Sequence, residues 1–320
     1  MTEAGPDLSV QVGALRLANP LLAASGCFGY GLDYDPLLPP ERFGAIVTKT
    51  LTPLARKGNP MPRLAETPAG MLNSIGLENV GLAAFLAEKL PALTARGIRP
   101  VVSISAANAE EFAAMARALD GAGAGGSAEA PILGLELNLS CPNVAEGGAN
   151  FATDPEAVQR ITRRVRDVYS SGALWVKLSP NVTDIAAIAE AAQVGGADAI
   201  CAINTLLAMD IDLETGKSPF ARTFAGLSGP AIFPVALADV HRIAKRVSIP
   251  IVAIGGAASS GDVLKFLAAG ASAVQLGTAL YSNPGLPARI LSELEAFLMK
   301  HDCRSFEDLR ALWAKKAVTT

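Results

Sequence analysis

Leu135-Glu136-Leu137-Asn138-Leu139-Ser140-Cys141-Pro142-Asn143 is an apolar run that stops at a cysteine set between polar residues and a proline. Leucines at 135, 137 and 139 alternate with Glu136, Asn138 and Ser140, the period of two that a strand with unlike faces requires. Pro142 has no N–H to give to a ladder, so the strand ends and Cys141 falls in the loop beyond its carboxyl end. In parallel α/β folds ligands bind at that end of the strands. The run alone leaves two readings of Cys141 open, a buried inert thiol and a reactive one.

Runs rich in Val, Ile and Leu recur on both sides of it, at residues 21–24, 45–48, 101–105, 132–139, 174–178, 199–203, 251–254 and 273–276. Amphipathic stretches separate them at 110–119, 155–169, 184–193, 235–247 and 259–268. Alternating strand and helix implies right-handed parallel crossovers, and eight units favour a closed (β/α)8 TIM barrel over an open sheet. Asp154-Pro155 and Thr183-Asp184 read as helix starts, and Gly195-Gly196 and Gly270 as stops. Residues 8–12 and 14–17 bracket Gly13 as a small hairpin placed to plug the barrel floor. The glycine-rich patch 121–126 reads as a surface loop. Connections 49–77 and 204–234 are too long for simple linkers and are expected to roof the site.

At 320 residues, half of them apolar, the chain can bury one large core, and residues 1–320 are expected to form a single domain. A net charge of -3 without a basic stripe argues against nucleic acid as a partner. Cys27, Cys141, Cys201 and Cys303 lie far apart with no C-x-x-C pair, which argues against a zinc or iron-sulfur site within this chain and fits a reducing cytoplasm. The first seven residues carry acidic side chains and no apolar leader core, and no apolar run is long enough to span a bilayer. The expectation is a cytoplasmic protein that neither spans nor needs a membrane.

Residues that follow each strand would converge on one barrel mouth: Ser25 and Gly26, Lys49 and Thr50, Asn138 and Cys141, Lys177, Asn204 and Thr205, Gly255-Gly256, and Gly277-Thr278. The last two glycine sites follow the seventh and eighth strands, where backbone N–H groups commonly cradle phosphate, although a tight turn explains either one taken singly. Lys177 alternates with Val176 and Leu178 and should point inward, and Lys49 ends a similar strand; a lysine that merely snorkels at the rim is the less favoured alternative for each. His241 and His301 fall within a helix and near the carboxyl end, and Asp198 and Asp239 also lie away from the mouth. Cys141 is therefore the best-placed group to take a proton near neutrality.

Longer motifs carry a resemblance. N-P-L-L-A-A-S-G-C-F-G-Y-G from Asn19, G-N-P-M-P-R-L-A-E-T-P-A-G-M-L-N-S-I-G-L from Gly58, and E-L-N-L-S-C-P-N-V from Glu136 are joined by W-V-K-L-S-P-N-V-T-D-I from Trp175. I-N-T from Ile203 and G-L-S-G-P-A-I from Gly226 complete the set with the two glycine sites. From Leu8 to about residue 300 the chain resembles the class 1 dihydroorotate dehydrogenases, flavin enzymes that oxidise dihydroorotate to orotate in pyrimidine biosynthesis.

The resemblance implies one FMN per chain and makes Cys141 the catalytic base, where class 2 members have serine. It assigns substrate binding to Lys49, Asn73, Ser74, Ile75, Gly76, Leu77, Asn138, Asn204 and Thr205. Around FMN it places Ser25, Lys49, Thr50, Asn138, Lys177, Ile203, Gly229, Gly255, Gly256, Gly277 and Thr278. Members often carry an asparagine on the third strand near the flavin. Here the run is Ser103-Ile104-Ser105-Ala106-Ala107, so that hydrogen bond is expected to be missing or supplied by Ser103 or Ser105.

The spelling is most similar to class 1B catalytic subunits, which pass electrons to NAD+ through a separate subunit carrying FAD and a [2Fe-2S] cluster. A homodimer of catalytic subunits, within a heterotetramer, is what that likeness implies. The alternatives are a fumarate-dependent class 1A enzyme, a dihydropyrimidine dehydrogenase-like module, and a flavin-binding barrel without activity. Lys49, a partner for a carboxylate, favours orotate chemistry over uracil or thymine.

Overall fold

The structure is a computed structural model and describes residues 5–122, 130–140 and 151–318. In chain order its strands are β1 (Val10–Val12), β2 (Leu15–Leu17), β3 (Leu21–Ala23), β4 (Ala45–Ile46), β5 (Leu64–Thr67), β6 (Gly70–Asn73) and β7 (Val101–Ile104). There follow β8 (Gly134–Asn138), β9 (Ala173–Leu178), β10 (Ala199–Ala202), β11 (Leu206–Ala208), β12 (Ala225–Ser228), β13 (Ile251–Ile254) and β14 (Ala273–Leu276).

Eight of these form one parallel sheet in the order β4-β3-β14-β13-β10-β9-β8-β7. Its two ends meet through parallel bridges Val47–Val101 and Leu51–Ile104, with Thr48 N–H donating to Val101 O at 3.0 Å and Leu51 N–H to Ser103 O at 2.8 Å. The result is the expected TIM barrel, and each of the eight apolar runs overlaps one of its strands, β9 starting one residue earlier than its run.

Alternation decides which side chains fill it. Leu135, Leu137 and Leu139 are buried on one face of β8 and its extension, while Glu136 and Asn138 turn to the barrel interior. Each leucine removed from water contributes about 1.5–3 kcal/mol. Helices Ala109–Gly121, Pro155–Arg166, Ile185–Val194, Phe233–Ala244 and Ser260–Ala268 lie between barrel strands. Four of them begin at side-chain caps: Asn108 accepts from Glu111 N–H at 2.9 Å, Asp154 from Glu156 at 3.0 Å, Asp184 from Ala186 at 3.0 Å and Ser259 from Asp262 at 3.2 Å. Gly196 and Gly270 adopt positive φ just past their helices.

The hairpin β1–β2 turns at Gly13, where an added Cβ would lie 3.5 Å from the Asp198 carbonyl oxygen. Asp198 immediately precedes β10, so the hairpin sits at the amino-terminal end of the barrel, as expected. At the opposite end the two long connections do roof the mouth, but as a sheet rather than as loops. β5, β6, β11 and β12 form four antiparallel strands in the order β11-β12-β6-β5. β12 joins the two connections by pairing Gly226 with Asn73 and Leu227 with Leu72. Leu72, Phe220 and Ala225 make a small core there, separate from the barrel's. No helix among the described residues is long and apolar enough to cross a membrane.

Candidate active site

Between the strand ends and this roof lies a cavity of about 830 Å³, within the usual range for small-molecule sites. Ser25, Lys49, Thr50, Asn138, Lys177, Ile203, Asn204 and Thr205 line it from the barrel; Asn73, Ser74, Ile75, Gly76 and Leu77 line it from the roof. Gly229, Gly255, Gly256, Gly277 and Thr278 complete the same wall. Every described residue expected to bind substrate or FMN by the resemblance thus faces one space. Cys141 lies outside the described residues, as does most of the glycine-rich patch 121–126; Ser140, directly before the cysteine, lines the cavity.

Polar side chains tie four strand ends together across the mouth. Ser25 and Thr50 share a hydroxyl contact at 3.1 Å, Asn138 Nδ2 donates to Thr50 Oγ1 at 3.4 Å, and Asn204 Nδ2 donates to Asn138 Oδ1 at 3.3 Å. Asn204 Oδ1 in turn accepts from Thr205 N–H at 2.8 Å. The roof is fixed in the same way. Asn73 Nδ2 donates to Gly226 O at 3.0 Å, and Thr278 Oγ1 donates to Ser228 Oγ at 2.8 Å, which binds the eighth strand's loop to β12. Gly76 and Leu77 both hold positive φ, +74° and +56°. A leucine in that conformation is strained, a condition found where a loop's shape is set by function.

Among the described lining residues no side chain is acidic, whereas Lys49, Lys177 and Arg222 are cationic. The cavity therefore suits an anionic ligand. Burial pushes the Lys49 ammonium below the ordinary lysine value; nearby Cys27 and Glu78 oppose this and Lys177 adds to it. Lys177 is almost fully buried, with its Nζ 3.9 Å from Glu136 Oε1.

The glycine turns are places where a side chain does not fit. A Cβ on Gly256, at φ +77°, would come within 2.7 Å of Gly229 O and 2.8 Å of Phe233 N; one on Gly255 would meet Ala236 Cβ at 2.8 Å. Loops after the last two strands of such barrels, with the short helix that follows, are a recurrent phosphate site. Here the short helix Ala279–Ser282 follows Thr278 directly.

One expectation is narrowed. Ser103 and Ser105 are buried, and neither lines the cavity: Ser103 Oγ contacts Thr50 Oγ1 at 3.0 Å, and Ser105 Oγ has no partner. Ser103 can act only through Thr50, because the third strand's side chains end below the cavity floor. Other lining residues were not singled out from the sequence, among them Cys27, Asn181, Ser228 and Tyr281. Asn181 donates to Thr205 O at 3.1 Å and accepts from Leu207 N–H at 2.8 Å, so it shapes the turn into the roof. The S-P-N run at Ser179 was the available signal. His241 and His301 lie in helix Phe233–Ala244 and just past helix Leu286–Lys300, away from the mouth.

Comparison with known proteins agrees with this geometry. The family model described as dihydroorotate dehydrogenase matches residues 7–298. A protein of Geobacter sp. (strain M21), named dihydroorotate dehydrogenase B (NAD(+)), catalytic subunit, is 44% identical over 304 residues, covering 95% of this chain and 97% of that protein. The protein of the same name from Solidesulfovibrio magneticus is 46% identical over 288 residues, covering 90% and 92%. The chain belongs to the dihydroorotate dehydrogenase family.

Proposed function

We propose that this chain is the catalytic subunit of a class 1B dihydroorotate dehydrogenase, which oxidises (S)-dihydroorotate to orotate and delivers the electrons to NAD+ through a partner subunit. The observation that carries the reading is the convergence of the described substrate and cofactor residues on one cationic cavity. The relatives are named as NAD(+)-linked catalytic subunits, which supports NAD+ as the acceptor and a partner subunit.

The residues present fit FMN. Gly255, Gly256, Gly277 and Thr278 form a cradle that a Cβ would fill and that suits a phosphate, while Thr50, Asn138 and Lys177 offer donors to a flavin ring. When bound, FMN supplies a hydride acceptor for C6 of the substrate. Lys49 holds the substrate carboxylate. Asn73, Asn138 and Asn204 meet the amide edges of the ring, each with two donors and an acceptor. Ser74, Ile75, Gly76, Leu77 and Thr205 close round it, and Cys141 takes the proton from C5. Loss of one proton and one hydride converts dihydroorotate to orotate. Ser25, Ile203 and Gly229 border the cofactor.

In this reading residues 1–320 act as one FMN-binding unit in the cytoplasm, two catalytic subunits pair, and a subunit with FAD and [2Fe-2S] completes a heterotetramer. Dihydroorotate titrated anaerobically into the purified chain should bleach a bound-flavin band. NAD+ should then reoxidise it only with the partner present. Reoxidation by fumarate alone would move the chain to class 1A, and a flavin unmoved by dihydroorotate would sink the reading.

Gly256→Ala tests the cradle. Its backbone conformation costs an alanine about 1–2 kcal/mol, and the atoms a Cβ would meet, Gly229 O with Phe233 N and Cβ, are main-chain or fixed directly to it and cannot swing away. We expect roughly five- to thirty-fold weaker flavin retention, read from the flavin-to-protein absorbance ratio after dialysis. An unchanged ratio would count against the cradle.

A further inference from the structure

Below the cavity floor the barrel carries a polar layer where such interiors are usually filled by Val, Ile and Leu. Alternate strands β8, β10 and β14 supply Glu136, Cys201 and Gln275, all essentially without solvent exposure. Gln275 Nε2 donates to Glu136 Oε2 at 2.9 Å, reaching across the barrel from a strand four places away in the sheet, and lies 3.7 Å from Cys201 Sγ. The other carboxylate oxygen, Oε1, has no hydrogen-bond partner and sits 3.9 Å from Lys177 Nζ. Lys177 comes from the intervening strand β9, one step nearer the mouth, beside Asn138 on one side and Cys201 on the other. Its ammonium is the point where this layer touches the cavity.

A fully buried carboxyl serves no packing purpose that a leucine would not serve better, and truncating one member of a buried ion pair leaves the other charge uncompensated. An amide that donates toward the carboxyl is the orientation an ionised group requires. We propose that Glu136 is a positioning residue: its carboxylate, held by Gln275, fixes the Lys177 ammonium at the cavity floor and offsets its charge, and so sets how strongly the site favours the reduced cofactor. The proposal rests on the reading of the cavity as an FMN site.

The charges that bear on the cofactor there are Lys177 and Lys49 from the barrel, with Glu136 beneath them. Cys27 and Cys201 are held as neutral thiols by burial, which pushes both thiols up. Removing the carboxylate charge leaves an uncompensated cation beside a ring that gains negative charge on reduction. The reduced form is therefore favoured. Removing the lysine charge does the opposite.

The test is dye-equilibrated reduction of the FMN-loaded chain, wild type against variants. Glu136→Gln keeps the shape and is expected to shift the couple about tenfold toward reduced flavin, about 30 mV for two electrons. Lys177→Gln should shift it the other way, and the double variant should fall between them. Glu136→Asp keeps the charge and should return most of the wild-type value, which a purely structural role would not do because aspartate leaves a void. If Glu136→Gln binds flavin at an unchanged potential, or aspartate and glutamine shift it equally, the proposal fails. Loss of the fold in both variants would make the glutamate a packing residue and overturn the proposal too. A wild-type chain that binds no FMN would instead strike the reading beneath it.

Discussion

Cys141→Ala is expected to keep FMN bound and to slow its reduction by dihydroorotate by about 10²–10⁴-fold, the usual contribution of a positioned general base. The size follows from the lack of a substitute. No Asp, Glu or His is found among the described residues that line the cavity, and both histidines lie away from the mouth. Cys27 lines the wall, but burial pushes its thiol up and leaves it a poor proton acceptor near neutrality. A free thiol titrates near pH ~8.5, so the rate of flavin reduction in the wild type should rise with pH through the cysteine's pKa. That rise should be missing from the alanine variant. Stopped-flow bleaching of the flavin band reads both effects, and reduction at the native rate would remove Cys141 from the role.

The second large effect is expected at Lys49. Lys49→Met removes the cation assigned to the substrate carboxylate from a mostly buried position, a loss of about 2–5 kcal/mol, or roughly 30- to 5,000-fold in kcat/KM. Burial is the main reason its pKa lies below the ordinary lysine value of 10.5. The sign follows: below the folded-state pKa the ammonium is present and binds the carboxylate, and affinity falls as pH rises through that lowered value. Wild-type kcat/KM should therefore rise with the cysteine and fall again with Lys49. In Lys49→Met the falling limb should vanish while the rising limb stays. A falling limb that survives the substitution would assign it to another group.

How much of this was legible depends on where the information sits along the chain. The barrel strands were readable because each is a continuous apolar or alternating run, and the wall they carry follows from the rule that strand ends converge. The roof was visible as two long connections but not as a sheet. Leu64–Thr67 and Gly70–Asn73 are short and mostly half-buried, Ala225–Ser228 contains glycine and serine, and Asn73 pairs with Gly226 far along the chain. No local pattern encodes such a pairing. Glu136 shared the face of Asn138 in the alternation, yet a glutamate in a strand ordinarily signals solvent. Only the closure of the barrel, which brings Gln275 across to it, turns that face inward. Which alternative holds at Ser103 and Ser105 could not be read from the run either, since strand depth relative to the cavity is a property of the whole ring.

The separate small core of the roof has a consequence for how the protein opens. Leu72, Phe220 and Ala225 bury far less apolar surface than the barrel does, so the free energy that keeps the four antiparallel strands shut is a small part of the total. The roof is therefore expected to open at lower cost than the barrel, and on the barrel side what must give way is the Thr278–Ser228 contact and the packing of Gly229 against Gly256. Amide hydrogen exchange in Gly70–Asn73 and Ala225–Ser228 is expected to run ahead of exchange in the barrel strands, so that the ceiling of the cavity loosens at a stability well short of global unfolding.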